Sequence, residues 1–224
     1  SRNPGRARGK LMQRIRITYA RSFALRYTGH LDMQLVWERT LRRARLPLAY
    51  SQGFHPQPRI NQACPLPLGM TSRMEVLDFW LDPEFVIAEL IQVLSPVLPP
   101  GINLISCAEV DLHLPSLQSQ VNAASFLCTF LIPFDSSQLI KNVADMMAAS
   151  DLPRVRRDKP YDLRPLIFSL DILQSSDPTL PHLSMHLSAR EGATGRPEEV
   201  ISELGFDPLD VRYERFALHF STNA

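Results

Sequence analysis

Hydrophobic and polar residues alternate over residues 13–20 (QRIRITYA). Ile15, Ile17 and Tyr19 take one side; Arg14, Arg16 and Thr18 take the other. A period of two predicts a half-buried strand. Over residues 30–45 the period changes. Met33, Val36, Trp37, Thr40, Leu41 and Ala44 recur at steps of three and four, the apolar stripe of an amphipathic helix. Thr28 or the Gly29-His30 pair is expected to cap it, and Asp32 suits its positive end. Pro47, Pro56, Pro58, Pro65 and Pro67 exclude a long helix from the next stretch. It predicts a loop from Tyr50 to Arg59, a short strand at 60–64 and a turn ending at Gly69. Residues 74–81 (MEVLDFWL) predict a strand, Asp82-Pro83-Glu84 opens a helix, and residues 102–109 predict another strand. The order is β-α-β-β-α-β.

After a linker over 111–122 the order repeats. Strands are predicted at 124–132, 165–173, 181–189 and 211–220. One helix runs from Ser136 or Ser137, as cap, through Ala149; the other covers 197–204, with Pro197 first and Gly205 as its end. The halves share a pattern, not residues. The fold class expected is α+β: two tandem ferredoxin-like (βαββαβ) units with antiparallel sheets, at 11–110 and 123–224.

The chain of 224 residues is 45% hydrophobic, enough for one large domain or two small ones. It begins at Ser1 rather than Met, which leaves room for an upstream domain. No apolar run approaches the ~20 residues of a membrane span, and no signal peptide is evident, so a cytoplasmic protein is expected. Cys64, Cys107 and Cys128 are far apart and match no zinc or iron–sulfur spacing. No metal or cofactor is expected. The absence of G-x-x-x-x-G-K-[ST], G-x-G-x-x-G and G-x-S-x-G argues against nucleotide hydrolysis, dinucleotide chemistry and serine hydrolysis.

Charge sharpens the picture. The net charge is +1, but residues 1–61 hold 13 Lys and Arg against Asp32 and Glu38, giving +11, while 62–150 carry −7 and 151–224 carry −3. Residues 1–10 (SRNPGRARGK) read as a disordered basic arm. Such asymmetry suggests an anionic partner; a segregated solubilising surface is the alternative. Arg39, Arg42 and Arg43 share the solvent face of the first helix. Directly after it, Tyr50, Phe54, His55 and Arg59 stand in a loop stiffened by Pro56 and Pro58. Aromatics beside guanidinium groups suit base stacking and phosphate contact. A structural loop with its aromatics folded onto the core is the bland reading of the same residues. Arg156, Arg157 and Arg164, close to Arg154 and Lys159, form a second basic group on an expected exposed loop. His30 stands at a strand-to-helix junction, where an imidazole can act as acid or base; a packed or capping residue is the commoner role. His182 and His186 share one strand face, and with His113 and His219 they point to no site.

Residues 25–32 (LRYTGHLD), 38–44 (ERTLRRA), 46–59 (LPLAYSQGFHPQPR), 66–69 (LPLG) and, more loosely, 162–166 (DLRPL) resemble the bacterial radical SAM-linked protein family, a domain of unknown function. That family's motif carries Ser where Gly29 stands here. The resemblance implies a partner radical SAM enzyme, encoded beside the protein or fused to it. The chain has no Cys-x-x-x-Cys-x-x-Cys, so the radical chemistry would be the partner's. The expected function is a non-catalytic accessory module binding RNA or another anionic substrate. The alternatives are a protein–protein adaptor for that enzyme and a metal-independent endoribonuclease using His30.

Overall fold

The alternation at the start of the chain becomes the central strand of the first half. In the computed structural model, which describes residues 12–221, β1 (Gln13–Arg21) buries Ile15, Ile17 and Tyr19. They meet the apolar stripe of α1 (His30–Arg43), where Met33, Trp37, Thr40 and Leu41 are buried. β2 (Ile60–Gln62), β3 (Thr71–Leu81), α2 (Ile87–Leu94) and β4 (Ile102–Val110) complete this half. β1 lies between β3 and β4 and β2 lies outside β3, giving the order β4-β1-β3-β2 with every pair antiparallel.

A short helix, α3 (Leu117–Gln120), leads into the second half. There β5 (Val121–Phe130), α4 (Ser136–Ala148), β8 (Ile167–Leu173), β9 (His182–Arg190), α5 (Pro197–Glu203) and β11 (Val211–Phe220) follow. The order is β11-β5-β9-β8, again antiparallel throughout. A separate hairpin joins β6 (Pro153–Arg156) to β7 (Lys159–Asp162), and β10 (Ala193–Thr194) folds back on the end of β9.

The fold is therefore α+β with a large, mostly antiparallel sheet, and the two halves share that sheet. β11 pairs with β3 in parallel, Glu214 opposite Thr71 and Arg215 opposite Ser72. The reason lies in strand length. β3 has 11 residues but β2 pairs only with Leu77, Asp78 and Phe79. The start of β3 would be an open edge, and β11 covers it. Each half keeps its own core, one around Trp37, Leu77 and Phe79, the other around Phe126, Met185 and Ile201. Ala63, Leu66 and Met70, from the connection between β2 and β3, belong to the second core.

Local departures from the sequence reading have physical causes. α2 begins at Ile87, not at Asp82, because the preceding segment is tied down outside the helix: the Asp82 N–H donates to the Pro47 carbonyl and the Phe85 N–H to Gln13 Oε1. Asp135, not Ser136 or Ser137, caps α4 by accepting from the Ser137 N–H at 2.9 Å. Gly29 occupies the N-cap of α1 without a side-chain cap bond. Arg154, Arg156, Arg157 and Lys159 of the second basic group stand on the β6–β7 hairpin instead of a loop, its two-residue turn built from Arg157 and Asp158 at φ 50° and 60°, while Arg164 opens the 3-10 turn that follows β7. Gly205 follows α5 at φ 84°, the left-handed conformation expected of it. The expected basic arm, residues 1–10, lies outside the described residues. Among those residues no helix is long and apolar enough to cross a membrane.

Where the halves meet, Arg215 and Glu75 are both buried. The Arg215 Nε and Nη2 donate to Glu75 at 2.5–2.9 Å, and its Nη2 and Nη1 reach the Cys64 and Pro65 carbonyls at 3.0 and 3.2 Å. Removing one partner strands the other's charge. Glu75→Ala is expected to lower unfolding free energy by ~3–5 kcal/mol, measured by urea denaturation, and Glu75→Leu with Arg215→Met to cost less than that single change. A Glu75→Ala protein as stable as the parent would show that the pair does not hold the seam.

Candidate nucleic-acid interface

The loop after α1 is a closed, stiff structure. Tyr50 and Pro58 bridge its neck, the Ser51 N–H donates to the Gln57 carbonyl at 2.8 Å, and the Gln57 N–H returns to Ser51 Oγ at 3.0 Å. Gly53 supplies the left-handed turn at φ 131° that the tip requires. This geometry pushes Phe54 fully into solvent, at 102% of its reference exposure, with His55 exposed beside it. A phenyl ring held in water by a braced loop gains nothing for the fold. Tyr50 is exposed too, and the Arg42 guanidinium sits 6.0 Å from its ring centre.

Arg39 and Arg43 are exposed on the same helix. Arg42 also forms an i,i+4 pair with Glu38 at 2.8 Å, so part of its charge is answered locally. The structure thus sets Arg42 beside Tyr50 at the neck of the loop whose tip carries Phe54 and His55, and leaves Arg39 and Arg43 exposed on the same helix. Arg59 departs from it: half-buried at the base of the loop, its guanidinium lies 4.6 Å from the ring centre of Trp80, which Arg14 also approaches at 4.9 Å.

The second basic group divides. Arg156 bonds both Glu199 oxygens and the Thr194 carbonyl and packs 4.6 Å from the Tyr161 ring centre. Arg164 donates to the carbonyls of Ile167 and Met147, both at 2.9 Å. These two hold the second half together; Arg157, at the hairpin turn, remains exposed. His30 is the first residue of α1 and half-buried, its carbonyl accepting from Gln62 Nε2 at 3.2 Å. Burial holds its imidazole below the ordinary histidine range, with Glu75 pulling the other way. Glu75 itself is hydrogen-bonded to Arg215 through both carboxylate oxygens.

Sequence reasoning missed one constellation. Ser125 Oγ lies 3.0 Å from His186 Nδ1 and 2.8 Å from His219 Nε2, on three neighbouring strands, β5, β9 and β11. The imidazoles meet edge to face at 4.5 Å, and Phe168 leans on His186. The hydroxyl can donate to one ring and accept from the other, which fixes complementary tautomers. The even spacing of His182 and His186 was a signal for a shared strand face, but nothing local brings His219 to it. Burial, then the neighbouring His186, keeps the His219 imidazole below the usual range. Burial also pushes the Cys107 thiol up to about 11. Among the described residues no group of three or more His, Cys, Asp or Glu is placed to hold a metal ion.

Residues 14–197 match a bacterial family described as an uncharacterized protein conserved in bacteria, DUF2344. No curated protein matches the chain.

The depressed histidines have a thermodynamic consequence. His219 and His30 bind protons less readily folded than unfolded, so their contribution to stability is present above the ordinary value of 6.5 and is lost as pH falls through their lower folded values. The melting temperature is expected to drop between pH 7 and pH 5. His219→Gln should make the drop shallower. Superimposable pH profiles for variant and parent would exclude this linkage.

Proposed function

The chain belongs to the DUF2344 family, and on that premise we propose that it is a non-catalytic binding module for single-stranded RNA, acting beside a partner enzyme. The observation that carries the reading is Phe54, fully exposed at the tip of a hydrogen-bonded loop whose neck residue Tyr50 has the Arg42 guanidinium of α1 beside its ring. Exposed rings on a rigid support stack with bases of any sequence, and neighbouring guanidinium groups take phosphate oxygens. Because the loop is already braced, little entropy is lost on binding. The strand order 4-1-3-2 in each half, antiparallel throughout, supports reading the chain as two ferredoxin-like units sharing a sheet. The partner, on the resemblance of residues 25–59, is a radical SAM enzyme. Its setting is a reducing cytoplasm, in keeping with three free cysteines.

Fluorescence anisotropy with labelled single-stranded RNA across a salt series tests this. Phe54→Ala is expected to cost ~1–3 kcal/mol of affinity with little change in salt slope. Arg39→Ala with Arg43→Ala should shallow the slope by roughly 0.7 for each phosphate left without its guanidinium. A cleavage gel runs in parallel. Binding insensitive to salt and to these substitutions would reject the RNA reading and leave an adaptor for the partner enzyme. Cleavage that disappears in His30→Ala would replace the binding module with a nuclease.

A further inference from the structure

A second site lies between the halves and shares no residue with the α1 face. There the loop at 63–68, the β6–β7 hairpin, the turn after β9 and the start of α5 enclose a cleft of about 1410 Å³. Its apolar lining includes Pro65, Leu66, Leu68, Phe126 and Leu166. Leu68 is 62% exposed, an apolar rim with no cover. Arg157, Lys159 and Arg196 line the same cleft, and among the described residues none of the three has a carboxylate partner. Opposite in character is Glu198. Its Oε2 is buried without any hydrogen-bond partner, and the residue lines the cleft.

Each feature asks something different of a ligand. Unpaired cations around a cleft ask for an anion. A buried acceptor without a donor is an unmade hydrogen bond, which a ligand N–H can complete. The apolar lining asks for a flat or greasy body. A nucleotide carrying an amino group on its base meets all three: phosphate to the cations, base to the apolar wall, amino group to Glu198. The volume exceeds the ~300–1,000 Å³ of ordinary small-molecule pockets, so a nucleotide attached to a neighbour also has room. We propose that the cleft between the halves binds a nucleotide with an amino-bearing base, free or at the end of an RNA chain, through Arg157, Lys159, Arg196 and Glu198.

Burial also raises the Glu198 carboxyl above the usual carboxylate range, consistent with an acceptor that lacks its donor. This explains why such a group would be kept. Its Oε2 makes no hydrogen bond within the fold, so removing the side chain should cost little stability. A residue that served only the fold would behave in the opposite way.

The test is calorimetric titration of the full chain with AMP, CMP, GMP, UMP and inorganic phosphate, repeated with short RNA bearing or lacking a 5′-phosphate. Uracil has no amino group, and its one N–H is flanked by two carbonyl oxygens that a carboxylate repels, so AMP, CMP and GMP should bind more tightly than UMP, and inorganic phosphate far more weakly. Arg157→Ala with Lys159→Ala, both exposed side chains, should weaken binding by about tenfold or more. Glu198→Ala should erase the preference over UMP while leaving the melting temperature unchanged or higher. Phe54→Ala should not alter mononucleotide affinity, which separates this site from the loop surface. Cleft-dependent binding of mononucleotides identifies a free nucleotide as the ligand. Cleft-dependent binding of 5′-phosphorylated RNA alone identifies a chain end. The proposal is overturned if neither binds, if binding survives the Arg157/Lys159 change, if phosphate competes as well as the nucleotides, or if Glu198→Ala loses stability along with affinity.

Discussion

A guanidinium buried between two half-sheets is stable only if its environment is built around it. Arg215 meets this condition through Glu75 and through the carbonyls of Cys64 and Pro65. Its partners come from 140 to 151 residues earlier in the chain. The pair therefore sets how β11 meets β3, and the carbonyl bonds fix the loop that begins at Ala63. That loop places Leu66 in the second core and forms one wall of the cleft. Two desolvated charges add little net stability compared with well-packed apolar residues. Their contribution here is geometric: a shifted seam would leave both without partners.

A second buried set acts on the connection between the halves. Arg14 and Arg16 both bond Asp78, which is wholly buried, and Arg14 also donates to the carbonyls of Leu114 and Pro115. Gln120 returns to the Pro115 carbonyl and accepts from Arg16. The segment between the halves is thus pinned to the first sheet by the polar face of β1. The alternation that identified this strand concealed the role of its polar residues, since Arg14 and Arg16 looked like a solvated face.

What the sequence made legible was whatever depends on neighbours in the chain. Period two located β1, period 3.6 located α1, and Pro197 and Gly205 marked the ends of α5. The hairpin at 153–162 was invisible because Arg157-Asp158 is not the Asn-Gly pair that usually signals such a turn. The parallel seam depends on the shortness of β2, which no local pattern announces. Arginine roles were the least legible of all. Arg156 and Arg164 resemble binding residues in sequence, yet their partners Glu199 and Met147 lie 43 and 17 residues away. The same blindness hid the Ser125, His186 and His219 cluster, assembled from three strands.

These internal commitments change the meaning of the charge at the start of the chain. Of the thirteen cations before residue 62, Arg2, Arg6, Arg8 and Lys10 precede the described residues. Arg14, Arg16 and Arg21 are bonded inside the fold, Arg59 lies by Trp80, and Arg26 lies against Phe23 and Tyr27. Arg39, Arg43 and Arg45 are left exposed, with Arg42 shared between Glu38 and Tyr50. So, of the nine cations at residues 12–61, only a few guanidinium groups are left available on the described surface. Those few groups by themselves give a polyanion little hold, because each phosphate contact contributes modestly and is screened by salt. On the proposed reading the rings supply the rest of the affinity on this face, and a single-stranded ligand with unstacked bases is the anion that can use them.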